Sequence, residues 1–378
     1  MKGVTTTLLH TYYQPNMGTG DIIPPIHLST TFQFGNKEGY DYSRSGNPTR
    51  KVLEQTLAAL DGVPYGLAFS SGSAVLATVV ASIPKGKKIV FSSDAYGGTY
   101  RYIVNVAAKQ GIEYVVTDFT NLVQTEQIFT QNDVAYVWVE TPTNPLMKVV
   151  DIKKMAAIAH RHGALLVVDN TFATPVLQQP ANLGADLVAY STTKYINGHS
   201  DVVGGALVMK DTHLYEKMRF LQNAMGAILS PFDSWLTLRG VRTLELRMQR
   251  HVQNAQAVAD YLSHHPKIHK VYYPGLFTGE AARIVKKQMK SPGAMMSIEL
   301  KEKYNIQAFL HALTYFPLAE SLGGVESLID HPASMTHASI PKAERERIGL
   351  SDALFRVSVG IENTEDLLAD LKQALGKA

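Results

Sequence analysis

Between residues 134 and 190 the chain alternates apolar runs with a helical stripe, and this alternation restricts the fold more than any other feature. VAYVWVE (134–140) and ALLVVD (164–169) are apolar up to their last residue, and LVAY (187–190) is apolar throughout. Runs like these fit strands buried on both faces. Between the first two lies a predicted helix, capped by Asp151 and closed by Gly163, with Ile152, Met155, Ala156, Ile158 and Ala159 turned inward. Strand, helix, strand in this order predicts a parallel sheet covered on both sides. Ligands of such sheets collect outside the carboxyl ends of the strands. Asn144, Asp169 and Lys194 all fall there.

The stretch ADLVAYSTTKYINGH (185–199) is central, because its strand ends in Ser191, Thr192, Thr193 and Lys194. A lysine at the mouth of a buried strand needs a partner or a task. Desolvation lowers the pKa of an amine and makes it a nucleophile, able to form a Schiff base with an aldehyde such as pyridoxal 5'-phosphate. The flanking hydroxyls can hold that cofactor's phosphate. The same segment also suits a lysine that reaches out to a surface acid. Asp169 has two readings as well: a metal ligand, though no second carboxylate or histidine sits at metal spacing beside it, or a partner for a pyridinium nitrogen.

Elsewhere, SSGSAVLATVV (70–80) follows the strand YGLAF (65–69). Strand, tight Gly/Ser turn and apolar helix make an anion cradle. Neither G-x-G-x-x-G nor G-K-[ST] is present, so a phosphate monoester fits better than a dinucleotide. Tyr96 precedes Gly97 and Gly98, which let a backbone approach a ligand; its ring suits either stacking on a flat cofactor or a surface loop. In YDYSRSGNPTR (40–50), Tyr42 and Arg44 share one face of an extended segment, and Asn47-Pro48 opens a helix. Arg44 suits a phosphate, but taken alone it is better read as a surface arginine.

Residues 1–45 are irregular yet rich in aromatics and isoleucine, which favours an arm packed on another surface, such as a second subunit, over a loose terminus. A large domain is expected over 46–235 and a smaller α+β domain over 236–378, where separate short strands stand among helices. The arginines of LTLRGVRTLELRMQR (236–250) are expected on a solvated helical face. In FRVSVGIE (355–362), Phe355, Val357 and Val359 share one face and Arg356 the other, where an arginine is a ready bidentate clamp for a carboxylate.

The net charge of +3 over 378 residues, with no long basic run, argues against nucleic acid as a partner. No run approaches the length of a membrane helix, and the first residues lack a secretory pattern, so a cytoplasmic enzyme is expected. Without cysteine, disulfides, thiolate metal sites and a cysteine nucleophile are excluded.

The motifs YSRSGNPTR, SSGSA, YGGTYR, ETPTNP, VVDNTF, STTKYINGHSDVVGG, AESLGGVESL, MTH and RVSVGIE occur in this order from about Ile22 onward. Together they resemble the Cys/Met-metabolism PLP enzymes of the cystathionine γ-synthase and γ-lyase group. That resemblance implies the fold type I architecture of PLP-dependent transferases: α/β, with a mostly parallel central sheet, a smaller α+β C-terminal domain and an N-terminal arm. It implies that Lys194 carries pyridoxal 5'-phosphate, that Asp169 keeps the pyridine nitrogen protonated, and that Tyr96 stacks on the ring. Gly72, Ser73, Ser191 and Thr193 would hold the phosphate, reached by Tyr42 and Arg44 of a neighbouring subunit in a homotetramer built from two dimers. Arg356, Ser321 and Asn144 would bind the α-carboxylate of a small sulfur amino acid, with Arg101 near the far carboxylate of a long substrate. Methionine γ-lyases carry a cysteine where this chain has Gly98, and enteric-type β-lyases carry aromatics around the loop that here reads SLGGVES. Glu320 fits γ-lyases and many γ-synthases. Cleavage of cystathionine at its γ-carbon is the expected reaction, with γ-synthase and β-lyase chemistry as alternatives; a PLP-binding protein without catalysis is the remote one.

Overall fold

A computed structural model describes residues 3–11, 19–301, 303–335, 342–347 and 349–378. Thr336 and His337 of the MTH motif, and Tyr12 and Tyr13 of the arm, lie outside the described residues.

Seven strands form the larger sheet: β1 (Tyr65–Phe69), β2 (Lys88–Ser92), β3 (Glu113–Thr117), β4 (Val134–Glu140), β5 (Leu165–Asp169), β6 (Leu187–Tyr190) and β7 (Gly205–Met209). Their order is β1-β7-β6-β5-β4-β2-β3. β3, β2, β4, β5 and β6 run parallel, and β7 is antiparallel to both β6 and β1. All residues of β4, β6 and β7 are buried, as their continuous apolar sequences require. The sheet is α/β and mostly parallel, as expected. β3 was not foreseen: it is an edge strand with two exposed residues, so its sequence EYVVT carries only half of the buried-strand pattern.

A smaller sheet, antiparallel throughout, contains β8 (Ile268–Tyr272), β9 (Met295–Leu300), β10 (Leu328–Asp330) and β11 (Leu354–Ser358), ordered β10-β11-β9-β8. All of β11 is buried, so Arg356 stands on a covered strand face and not an open one.

The basic stretch departs from its expected form. It divides into two helices, Pro231–Val241 and Leu244–Ser263, and the first packs on the helix Pro48–Leu60 beside the large sheet. The expected division at 235/236 falls inside that first helix. Arg247 is buried, at 5% exposure, and does not belong to a solvated face. Gly240 lies so near Asn197 that a Cβ there would overlap the Asn197 carbonyl, which presses this helix against the turn carrying Lys194.

Candidate active site

Pairing in register brings the ends of β4, β5 and β6 together. Glu140 pairs with Asp169, and Asp169 with Ala189 on the next strand. Beyond β6 the chain makes a turn in which the Lys194 N–H donates to the Ser191 carbonyl (3.3 Å) and the Gly198 N–H to the Lys194 carbonyl (2.8 Å). Arg247 holds the far side of this turn. Its guanidinium donates to the carbonyls of Tyr195 (2.7 Å), Ile196 (3.2 Å) and Gly240 (2.8 Å).

These ends open on a cavity of about 400 Å³ lined by Lys194, Asp169, Tyr96, Glu140 and Arg356, with Trp138 and Phe172 among its apolar walls. Lys194 Nζ donates to Ser321 Oγ at 2.9 Å. Burial lowers its pKa to about 8, helped by the Arg356 guanidinium and opposed by Asp330 and Glu320. The amine is therefore partly free near neutral pH, as a nucleophile or base must be.

Asp169 uses one carboxylate oxygen to accept the N–H and hydroxyl of Thr171 (3.0 and 2.6 Å), and the Thr171 hydroxyl accepts the N–H of Ser191 at 2.8 Å. The second oxygen, Oδ2, has no hydrogen-bond partner among the described residues. Burial raises the pKa of Asp169. Glu140 is raised to about 8, by burial and by the charge of Asp169 beside it. Its carboxyl accepts the Tyr96 N–H (2.8 Å) and the Thr99 hydroxyl (3.0 Å), so a buried acid fixes the loop that presents the Tyr96 ring. Gly98 gives that ring its room, since a Cβ there would overlap the ring where it now lies.

At the opposite wall Arg356 donates from Nη1 to Asn144 Oδ1 (3.0 Å) and from Nη2 to the Ser321 carbonyl (3.0 Å). Ser321 has a left-handed backbone, φ 87°, uncommon for a residue with a Cβ and typical of strained functional loops. One arginine thus ties the end of β4 to the glycine-rich loop, and the lysine amine rests on that loop's serine.

The sequence pattern of the Cys/Met metabolism PLP-dependent enzymes matches residues 5–376. The chain belongs to this family. It is 48% identical to a protein named cystathionine β-lyase from Lactococcus lactis subsp. cremoris, over 100% of both chains. It is also 48% identical to one named cystathionine γ-lyase from Dictyostelium discoideum, covering 99% of this chain and 98% of that one. The crystal structure of a cystathionine γ-synthase from Xanthomonas oryzae pv. oryzae superposes with a TM-score of 0.96 at 44% identity, covering 100% of this chain and 98% of the other. The protein is a lyase or synthase of sulfur amino-acid metabolism with the fold of type I PLP enzymes, and its cofactor is pyridoxal 5'-phosphate.

The cavity fits that cofactor. Oδ2 of Asp169 meets no donor among the described residues and can accept from a pyridinium N–H. The helix Gly72–Ala81 presents its N-terminus to the cavity, and glycine at position 72 avoids the tight 3.1 Å contact that a Cβ would make with the Ser191 Cβ. The hydroxyls of Ser73 and Ser191 make no hydrogen bond with the described residues and can serve a phosphate. Thr193 lines the same end, but its hydroxyl already accepts the Gly204 N–H (2.9 Å) and donates to the Gly204 carbonyl (3.2 Å).

The family's pattern therefore converges on one cavity for Lys194, Asp169, Tyr96, Gly72, Ser73, Ser191, Thr193, Arg356, Ser321, Asn144 and Glu320. Three further residues do not line it. Tyr42 is 43% exposed with Arg44 packed over its ring, and Arg44 donates to Asn223 (3.2 Å). Arg101 is exposed on the short helix Gly97–Tyr102. The sequence reading missed Glu140, Thr171, Arg247 and Asp330. For the first two a signal was present, since both lie inside motifs already singled out, ETPTNP and VVDNTF.

Proposed function

We propose that the protein cleaves the γ-carbon–sulfur bond of L-cystathionine, consuming one water and yielding cysteine, 2-oxobutanoate and ammonia. The observation that carries this reading is the pair of charges that Lys194 senses across the cavity, Arg356 and Glu320. Arg356 complements an α-carboxylate, and Glu320 complements the ammonium at the far end of a long diamino acid. A short substrate such as methionine would leave Glu320 without a role.

Pyridoxal 5'-phosphate, when bound, supplies the aldehyde that captures the substrate amine and the electron sink for charge developed on the substrate carbons. The chain's own residues then do the rest. Arg356, with Asn144 and Ser321, orients the α-carboxylate and so turns the α-hydrogen toward Lys194. Lys194, with its pKa lowered to about 8, takes the α-proton, gives it up again on the same face, and as a free amine once more takes a β-proton. Tyr96 hands a proton to the departing sulfur. Asp169 holds the ring nitrogen, and Gly72, Ser73, Ser191 and Thr193 anchor the phosphate. Tyr42 and Arg44 reach the phosphate of a neighbouring chain through the arm of residues 1–45, in a cytoplasmic homotetramer. Arg101 meets the far carboxylate once subunits assemble.

Relatives named β-lyase and γ-lyase are equally similar, so the reaction is decided by products. The PLP-loaded protein is given L-cystathionine alone and, separately, an O-acyl-L-homoserine with cysteine. Cysteine and 2-oxobutanoate from the first support the reading. Homocysteine and pyruvate would make it a β-lyase. Cystathionine from the second, with little cleavage in the first, would make it a γ-synthase.

A further inference from the structure

Asp330 ends β10 directly opposite Arg356 on β11. The two side chains are 1% and 3% exposed and form an ion pair between Asp330 Oδ2 and Arg356 Nη2. The same nitrogen also serves the Ser321 carbonyl, while Nη1 serves Asn144. The other Asp330 oxygen, Oδ1, is buried with no hydrogen-bond partner among the described residues. A buried ion pair with one oxygen left unpaired is a poor way to gain stability, because desolvation exceeds what one contact returns. Its position supplies a different use. The guanidinium that faces the cavity already carries a full counter-charge, so an incoming carboxylate becomes the second anion on one cation.

We infer that Asp330 is a positioning residue for carboxylate recognition: it orients Arg356 and, as a standing counter-ion, holds down the affinity for the substrate's carboxylate so that bound acids can leave. This rests on the reading of Arg356 as the α-carboxylate site. The charged and titratable groups facing Asp330 are Arg356, Lys194, Glu320 and His331. Burial pushes its carboxyl up to about 6, against the pull of Arg356. A second carboxylate on Arg356 raises it further, so anion binding takes up a proton at Asp330. Affinity for carboxylates therefore increases as pH falls through about 6 and decreases above it, where Asp330 is ionised.

The test is calorimetric titration of the PLP-loaded protein with propionate, a bare carboxylate, between about pH 5.5 and 7.5. The wild type binds more tightly toward the acid end. Asp330→Asn keeps an acceptor for Arg356 but removes the charge; it binds propionate at least about tenfold more tightly at the upper pH, and its affinity no longer changes with pH. A D330N protein with the wild-type slope overturns the inference. So does one that binds propionate more weakly. If D330N does not fold, a wild-type affinity that is flat with pH overturns it by itself. Arg356→Gln separates the two readings. Unchanged propionate binding in R356Q refutes Arg356 as the carboxylate site. Lost binding in R356Q, with D330N indistinguishable from wild type, refutes only the role of Asp330.

Discussion

Replacing Arg247 by methionine tests whether a guanidinium outside the cavity sets the geometry of Lys194. Methionine matches the length of the side chain and removes its donors. The carbonyls of Tyr195 and Ile196 then lose their partner in a site where Arg247 is 5% exposed, while the Gly240 carbonyl keeps the Thr243 N–H at 3.2 Å. Each orphaned buried acceptor costs about 2 kcal/mol, or about 4 kcal/mol for the pair. Against this, burial has lowered the guanidinium pKa from 12.5 to about 10, so keeping it charged costs about 3 kcal/mol that the substitution recovers. The net loss is about 1 kcal/mol of stability, and the turn bearing Lys194 loosens. Urea denaturation of the PLP-loaded protein measures the first effect; the pH midpoint of the bound cofactor's absorbance, which follows the lysine's environment, measures the second. Arg247→Lys retains one donor and the charge, and should fall between. A methionine variant within about 0.5 kcal/mol of wild type, with an unmoved midpoint, would refute the argument.

Lys194→Ala should abolish turnover, and borohydride should no longer fix the cofactor to the chain; a cofactor still trapped in that variant would remove Lys194 from its role. Mixed oligomers with Arg44→Ala on one chain and Lys194→Ala on the other should regain a fraction of activity if Arg44 serves the neighbouring site, and no recovery counts against that sharing. Asp61 is fully buried, its carboxylate accepts the Tyr190 hydroxyl at 2.8 Å, and burial raises its pKa to about 7. Its raised pKa stabilises the fold below about pH 4, and that contribution is lost as pH rises through about 7. Asp61→Asn should therefore be more stable than wild type at about pH 8, by ~2 kcal/mol, with a flatter pH dependence by urea denaturation; equal slopes in the two proteins would exclude Asp61 as the source.

The parts legible in the sequence were those encoded locally. β4, β5 and β6 could be read from their apolar runs, and the polar residues at their ends marked the site before any coordinates. What escaped depends on register between distant segments. Glu140 lies beside Asp169 only because β4 and β5 pair in that alignment. Asp330 meets Arg356 only through a three-residue strand too short to give an alternation pattern. Arg247 sits at helical spacing among other arginines, and nothing local says that three main-chain carbonyls converge on it. The edge strand β3 was lost for the opposite reason: solvent on one side dilutes its apolar signal.

The bond from Arg356 to Asn144 has a consequence for how such proteins diverge. It stitches the small sheet to the large one across the cavity, so the two walls are written in separate stretches of the chain. The wall suited to the cofactor comes from segments before residue 206, and the wall suited to the substrate's charges largely from segments after 319. Drift in the second can retune which bond is broken while the first is inherited intact. Identity over the whole length then leaves open which carbon–sulfur bond is cut, since relatives named β-lyase and γ-lyase both stand at 48%.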